Sequence, residues 1–488
     1  MLMWKTRVGL KDGFIFDYSK MLGERRLTMK DLETFASGLM PAAAKVRKIY
    51  FLGTSDGHLS KDGTPEHVYF MRQGYLDQKN PNTEESVREL EMYGARIKEE
   101  ADVVLFFGIG GSYLGNKVLF DLGAGPYWNS LPKPKRHGRP RIYFSGNNVD
   151  PQAFLDLETE LKYLASRKAV RAAAATVKAP LRVEMVVISK SGTTMEPLAG
   201  FSYFYGKLTQ DKHYKVTVTA VTGTDPKESA LFRLAKEHHW RCFDLPEGIG
   251  GRFCVLSNPG LITGAVIGLK IRELLQGARE MADLCLNAKK EDNPALINAG
   301  LKFLAQKKLG ADIEVFMGYG DRLKSLGEWY VQLLAESLGK RMNRQGKEIN
   351  YGRTPVVAVG TTDMHAQTQQ HQDGKRNKVV QFLQVGQAGK VVTPRVFAHD
   401  AACEKYADRN VADLLNLALT ANEQALDSDG RPSARYILPQ LDERRLGQLL
   451  MFLMFSIAYE GELADVDAYD QPGVEAYKRI MKKELGKR

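Results

Sequence analysis

Four hydroxyl side chains, Ser189, Ser191, Thr193 and Thr194, fall within the six residues SKSGTT, between a β-rich stretch and a helical pattern opening near Met195. Pro197 sits where a first-turn proline belongs, since the N–H it lacks has no partner there anyway. A loop at such a junction offers unpaired backbone N–H groups, the positive end of the helix dipole and hydroxyl donors, a combination that holds a phosphate. The same string also reads as an ordinary helix cap.

A second strand-to-helix turn, GIGGSYLG from Gly108 to Gly115, resembles several glycine motifs and fits none. Tyr113 replaces the third glycine of a dinucleotide fingerprint, Asn116 stands where a P-loop has lysine, and Leu114 where a nucleophile elbow has glycine. What remains is a turn at Gly111 that lets backbone approach a ligand, with Ser112 as a donor, or a tight structural turn.

Glu336 lies in the last turn predicted for the helix RLKSLGEWYVQLLAESLGK, which ends at Gly339. The negative dipole end and the neighbours Leu334 and Leu338 favour proton uptake by a carboxylate there, the property of a base. An exposed glutamate on a wet helix face fits equally. In YDQPGVEAYK, Asp470 is the expected N-cap, and Gln471, Glu475 and Lys478 share one face, either toward a ligand or as a solvated stripe. His365 of TTDMH follows a β-rich run, a common place for acid–base work, and His371 six residues on lacks metal-ligand spacing. Arg252 follows a double glycine in EGIGGRF, placed for a salt bridge or for a fixed charge beside a ligand.

The elements that must position these groups follow a βαβ rhythm, with strands expected at 103–107, 141–145, 184–189, 215–222, 313–318, 356–360 and 379–385. A long helical region, 261–285, separates the first four from the rest, and helices at 443–462 and 472–484 close the chain. An α/β protein with two parallel-sheet units is the fold class. Between 161 and 182 an Ala-rich basic stretch, SRKAVRAAAATVK at its centre, reads as an exposed helix or a flexible insertion.

With 488 residues, 43% hydrophobic and 26% charged, the chain has material for two cores and none of the bias of disorder. The net charge of +11 steers anions, yet no basic block interleaves with aromatics as in nucleic-acid binding. Four dispersed cysteines form no metal-type pair and indicate a reducing compartment. No apolar run reaches the length of a membrane span, so a cytoplasmic protein is expected.

Taken in order, GIGGS, SKSGTTMEP, GGRF, AESLGK, DMH and DQPGVEAYK resemble the glucose-6-phosphate isomerase (phosphoglucose isomerase) family from Val103 to Lys478, closest to its bacterial members. The resemblance implies two sugar-isomerase (SIS) type α/β sandwiches with parallel sheets: a segment 1–55, domains 56–270 and 271–450, and C-terminal helices 451–488. It implies interconversion of glucose 6-phosphate and fructose 6-phosphate in glycolysis and gluconeogenesis, through ring opening and a cis-enediolate, without metal or organic cofactor.

By the same resemblance Ser189, Ser191, Thr194 and the Lys190 backbone cradle the phosphate, with Gly111 and Ser112 beside them. Glu336 is the base, Arg252 stabilises the enediolate, His365 and Lys478 serve ring opening, and Gln471 positions substrate. The family's homodimer shares each active site, the equivalent of His365 coming from the partner subunit. Cys254 departs from the serine or threonine usual after the arginine motif. Mannose 6-phosphate as substrate, and a regulatory sugar-phosphate-binding module, are the competing readings.

Overall fold

The run Val103–Phe107, VVLFF, has no polar position to turn toward water, so as a strand it must be covered on both faces. In the computed structural model, which describes residues 4–60, 62–174 and 179–486, all five of its residues are buried. It belongs to one of two units, Tyr75–Arg272. The five-stranded sheet of this unit runs in the order Arg141–Ser145, Val103–Phe107, Leu181–Ile188, Tyr214–Thr222, Arg241–Asp244, and every pairing is parallel.

From 103–107 the chain crosses to one side, to 141–145, and then back past its starting point to 181–188 on the other. Crossovers that keep one hand but run in opposite directions fall on opposite faces. Accordingly Phe201, Phe204, Leu161 and Leu164, from the helices Met195–Thr209 and Pro151–Ala174, pack with Val103, Leu105 and Phe107 in one core.

The other unit joins Met1–Gly74 to Glu273–Arg488. Its six-stranded sheet runs Arg7–Gly9, Ile15–Asp17, Ser433–Gln440, Lys378–Gln387, Ile313–Tyr319, Thr354–Gly360. The last four are parallel and repeat the order of the first sheet: the first strand in the chain is interior, the second takes the outer edge, and the third and fourth extend the opposite side. The two N-terminal strands add an antiparallel margin. Residues before 55 and after 450 therefore lie inside this unit, because Ile15 and Phe16 pair with Ser433–Gln440 and the helix Glu443–Ala464 is buried from Leu446 to Glu462.

All seven expected strands are present, the largest difference being a start at Leu181 rather than 184. The region 261–285 is two helices, Asn258–Ile267 and Ile271–Asn287, broken where Gly268 takes φ +88°, a left-handed conformation that ends a helix. The basic stretch is in part structural. Leu161, Leu164 and Ala165 are core residues, and Lys168 and Arg182 both hold Asp102. Residues 175–178 lie outside those described. No helix among the described residues is long and apolar enough to cross a membrane.

The second unit is tied by an ionic network with no access to water. Glu314, on Ile313–Tyr319, meets Lys302 of the helix Pro294–Leu309, Arg353 at 3.0 Å and the Tyr330 hydroxyl at 2.7 Å. Arg353 also meets Glu460 of the helix Glu443–Ala464 at 2.8 Å, and Tyr351 donates to the same carboxylate at 2.6 Å. Burial pushes the Glu314 carboxyl upward, but Lys302 and Arg353 outweigh it and hold it below the usual carboxylate range. Two cations balance two carboxylates, so removing one partner strands a buried charge, a loss of about 3–5 kcal/mol. Arg353→Met is expected to lower the unfolding free energy obtained from urea titration by that amount, whereas Lys212→Met at an exposed position is expected to leave it unchanged.

Candidate functional site

Each sheet reverses direction between its first and third strands, and in open α/β sheets ligands bind at the carboxyl ends of the strands flanking such a reversal. In the unit 75–272 those strands are Val103–Phe107 and Leu181–Ile188, paired in register up to Phe107 and Val187. The two motifs GIGGS and SKSGTT follow them directly, so the sheet brings both turns to one crevice.

Local chemistry shapes the hydroxyl loop. Ser189 Oγ accepts the Gly192 N–H at 3.0 Å and lies 3.4 Å from Thr194 Oγ1, while Ser191 and Thr193 hydroxyls meet at 2.8 Å. Gly192 has φ +66°, and a Cβ there would stand 2.3 Å from the Leu231 amide nitrogen, so only glycine fits. Thr194 occupies the N-cap of Met195–Thr209, yet its side chain makes no capping bond. The ordinary side-chain cap is therefore not made at this helix start.

Sequence reasoning missed what holds this loop. The buried Thr222 donates to the Ser189 carbonyl at 2.7 Å and touches Ser229 Oγ at 2.7 Å; Ser229 in turn caps Ala230–Glu237. Gly223 N–H donates to the Lys190 carbonyl and Ala230 N–H to that of Ser191. The signal was the hydroxyl at the end of the next strand, with a capping serine seven residues on.

Gly111 is pressed against the Gly251–Arg252 peptide, where an added Cβ would lie 1.7 Å from the Gly251 oxygen. The two glycine motifs, far apart in sequence, therefore share one backbone contact, which brings Ser112 and Arg252 into the same part of the unit. Arg252 is 1% exposed, its guanidinium over the Phe253 ring. Asn116 donates to the Ser112 carbonyl at 2.6 Å and accepts from Thr263, a structural role that fixes the start of Gly111–Gly123. Cys254 is fully buried, and burial pushes its thiol up to about 12.

In the other unit Glu336 sits in the last turn of Lys324–Leu338, half-buried, with Gln332 donating to it at 3.0 Å. Lys340, 5% exposed, bonds the Glu336 carbonyl at 2.8 Å, the Asp470 carbonyl at 2.6 Å and the Asp470 carboxylate at 2.7 Å. One ammonium thus joins the helix end bearing Glu336 to the turn bearing Gln471. The expected N-cap role of Asp470 is not adopted: its carboxylate is engaged by Lys340, and the turn Pro472–Val474 has no side-chain cap. Lys478 is exposed and pairs with Glu475 at 3.1 Å.

His365, exposed, closes the short turn Thr362–Met364 beyond Thr354–Gly360. Glu336 lies at the opposite end of that strand, since Gly352, just before it, packs on Gly339 and the Leu338 carbonyl. A strand of seven residues separates the two ends by roughly 20 Å. His371 is buried in Thr368–Gln372, and no group of His, Cys, Asp and Glu among the described residues is arranged to hold a metal.

Two parallel-rich sheets of one strand order, each doubly wound, define an α/β protein of two parallel-sheet units. The phosphoglucose isomerase family model matches residues 53–487, and the chain belongs to that family. It is 35% identical over 405 residues to the glucose-6-phosphate isomerase of Carboxydothermus hydrogenoformans, covering 83% of each chain. With that of Rubrobacter xylanophilus it shares 35% over 412 residues, 83% of this chain and 88% of the relative. A crystal structure of a glucose-6-phosphate isomerase from Chlamydia trachomatis superposes with TM-score 0.78 at 22% identity, covering 99% of this chain and 90% of that one, a likeness of fold.

Two outcomes follow from this geometry. Lys340→Met is expected to cut turnover by about tenfold or more through loosened positioning of Glu336 and Gln471, with the helix content seen by circular dichroism retained. In thiol labelling at pH 8, Cys403, which is exposed, is expected to react in the native protein, and Cys254 only after unfolding.

Proposed function

We propose that this chain interconverts glucose 6-phosphate and fructose 6-phosphate, a step of glycolysis and gluconeogenesis, with Glu336 as the proton carrier. Membership of the family carries the reaction, and the uncapped helix start behind SKSGTT supports a phosphate as the anchor. Ser189, Ser191 and Thr194 with the Lys190 backbone hold the phosphate, and Gly111 and Ser112 line the approach. The phosphate is remote from C1 and C2, so its binding energy holds the opened sugar in place for chemistry.

Glu336 removes the proton from C2 of the open-chain aldose and returns it to C1 by way of a cis-enediolate, while the proton of the C2 hydroxyl passes to O1. Arg252, fixed and buried, supplies positive charge to the enediolate oxygens. His365 and Lys478 exchange protons with the ring oxygen and the C1 hydroxyl during ring opening, and Gln471 orients the sugar. Such acid–base steps contribute roughly 10²- to 10⁴-fold each, so the groups act together.

The separation of Glu336 from His365 along one strand favours a homodimer in which His365 of one protomer completes the site of the other. The helix Glu475–Leu485 has no buried residue and leaves Tyr477, Ile480 and Leu485 exposed, which further favours a covering subunit. A cytoplasmic location suits these phosphorylated sugars.

Turnover of fructose 6-phosphate is expected to persist in chelator, and in Glu336→Gln to fall nearly to background while substrate still binds; unchanged turnover in that variant rejects the base assignment. Mixed and reassorted Glu336→Gln and His365→Ala subunits are expected to regain about a quarter of wild-type activity, since half the dimers are mixed and each carries one intact site. Absence of any recovery would show that the site is not shared.

A further inference from the structure

At the opposite edge of the 75–272 sheet, where its strands begin, lies a cavity of about 500 Å³. Arg141 and Leu181, the first residues of two strands, line it together with Asp102, which directly precedes a third. The SKSGTT loop follows the far end of Leu181–Ile188, so a strand of eight residues, roughly 25 Å, separates the cavity from the phosphate loop.

Five cations line this cavity, Lys133, Arg136, Arg141, Arg167 and Lys168, against one carboxylate, Asp102. That carboxylate is already taken by Lys168 and, at 3.0 Å, by Arg182. Arg136 is 2% exposed, and its guanidinium bonds the carbonyls of Leu131 and, at 3.2 Å, Arg139; Arg141 donates to the Asn129 carbonyl at 2.9 Å. Neither guanidinium has a carboxylate partner among the described residues. Burial above all, and then the charge of Arg141, lower the Arg136 pKa to about 10. A buried arginine is ordinarily paired, because an uncompensated charge in a poorly solvated place is costly.

We propose that this cavity is a second anion site, separate from the substrate loop, for a ligand carrying a diphosphate group. Among the described residues, four of the lining cations, all but Lys168, have no carboxylate partner, which matches the three to four negative charges of a diphosphate. The volume exceeds what a single phosphate fills and falls within the range of small-molecule sites, about 300–1,000 Å³. Guanidinium forks suit phosphoryl oxygens, and Arg136 is held rigidly by its two carbonyl bonds. The exposed Lys133 and Arg167 form the rim and add attraction without shaping the floor.

Isothermal titration of the full chain, with the substrate loop saturated by fructose 6-phosphate, tests the site. Inorganic pyrophosphate is expected to bind once per chain, and in K133Q/R167Q at least tenfold more weakly, with isomerase KM and Tm unchanged. Repeating the titration in S191A/T194A protein makes the result independent of substrate binding and of the isomerase reading. ADP run in parallel separates the sources: tighter binding than pyrophosphate assigns the diphosphate to a nucleotide, weaker binding to the free anion, and either supports the site. Pyrophosphate binding that disappears when fructose 6-phosphate is present, or that is undiminished in K133Q/R167Q, would overturn the proposal.

Discussion

A parallel sheet obliges the chain to return to the same edge after every strand, and where successive returns leave in opposite directions the connecting turns part and open a crevice. Both sheets of this protein are built on that constraint, with the reversal between Val103–Phe107 and Leu181–Ile188 in one and between Ile313–Tyr319 and Lys378–Gln387 in the other. In the first, the crevice receives the hydroxyl loop, and helix starts without side-chain caps face it. The buried hydroxyl pair Thr222 and Ser229 holds the loop from behind.

The second sheet uses its topology differently. Glu336 is not at the carboxyl edge but at the end of the following helix, where Lys340 clamps it to the C-terminal turn. The ionic network of Lys302, Glu314, Arg353 and Glu460 fixes the layers beneath: strand, flanking helix and the long apolar helix are locked in register by groups that tolerate no displacement in a medium without water. Such a network specifies one arrangement even where apolar packing alone would tolerate several. The placement of Glu336 rests on that rigidity and on the ammonium of Lys340.

Strands with continuous β-branched or aromatic runs, such as VVLFF and EMVVI, were legible because nothing else explains such a run bounded by turn residues. Ser433–Gln440 was not, since Arg435 and Pro439 interrupt its pattern, and the arginine is satisfied by Glu423 and Gln384, pairings that folding creates. The three-residue strands at the N-terminus are too short to show periodicity and exist because an open edge accepts them. Gly268 falls inside the helical region expected at 261–285, and its left-handed φ of +88° divides that region into two helices. The basic stretch around Lys168 read as an exposed helix or a flexible insertion because Asp102, its counter-ion, lies 66 residues away in sequence.

By itself the sequence determined the α/β class, most of the parallel strands, the hydroxyl loop at a helix start and, through the order of its short motifs, the family. These are properties of local composition and spacing. Only the tertiary structure decided that GIGGS and GGRF touch through Gly111 and Gly251, that Asp470 answers Lys340 instead of capping a helix, that Glu336 and His365 stand at opposite ends of one strand, and that five cations converge beneath the sheet. Each of these joins residues distant along the chain. Electrostatic and steric energies depend on separation in space, which a linear string does not contain until the strand order is known.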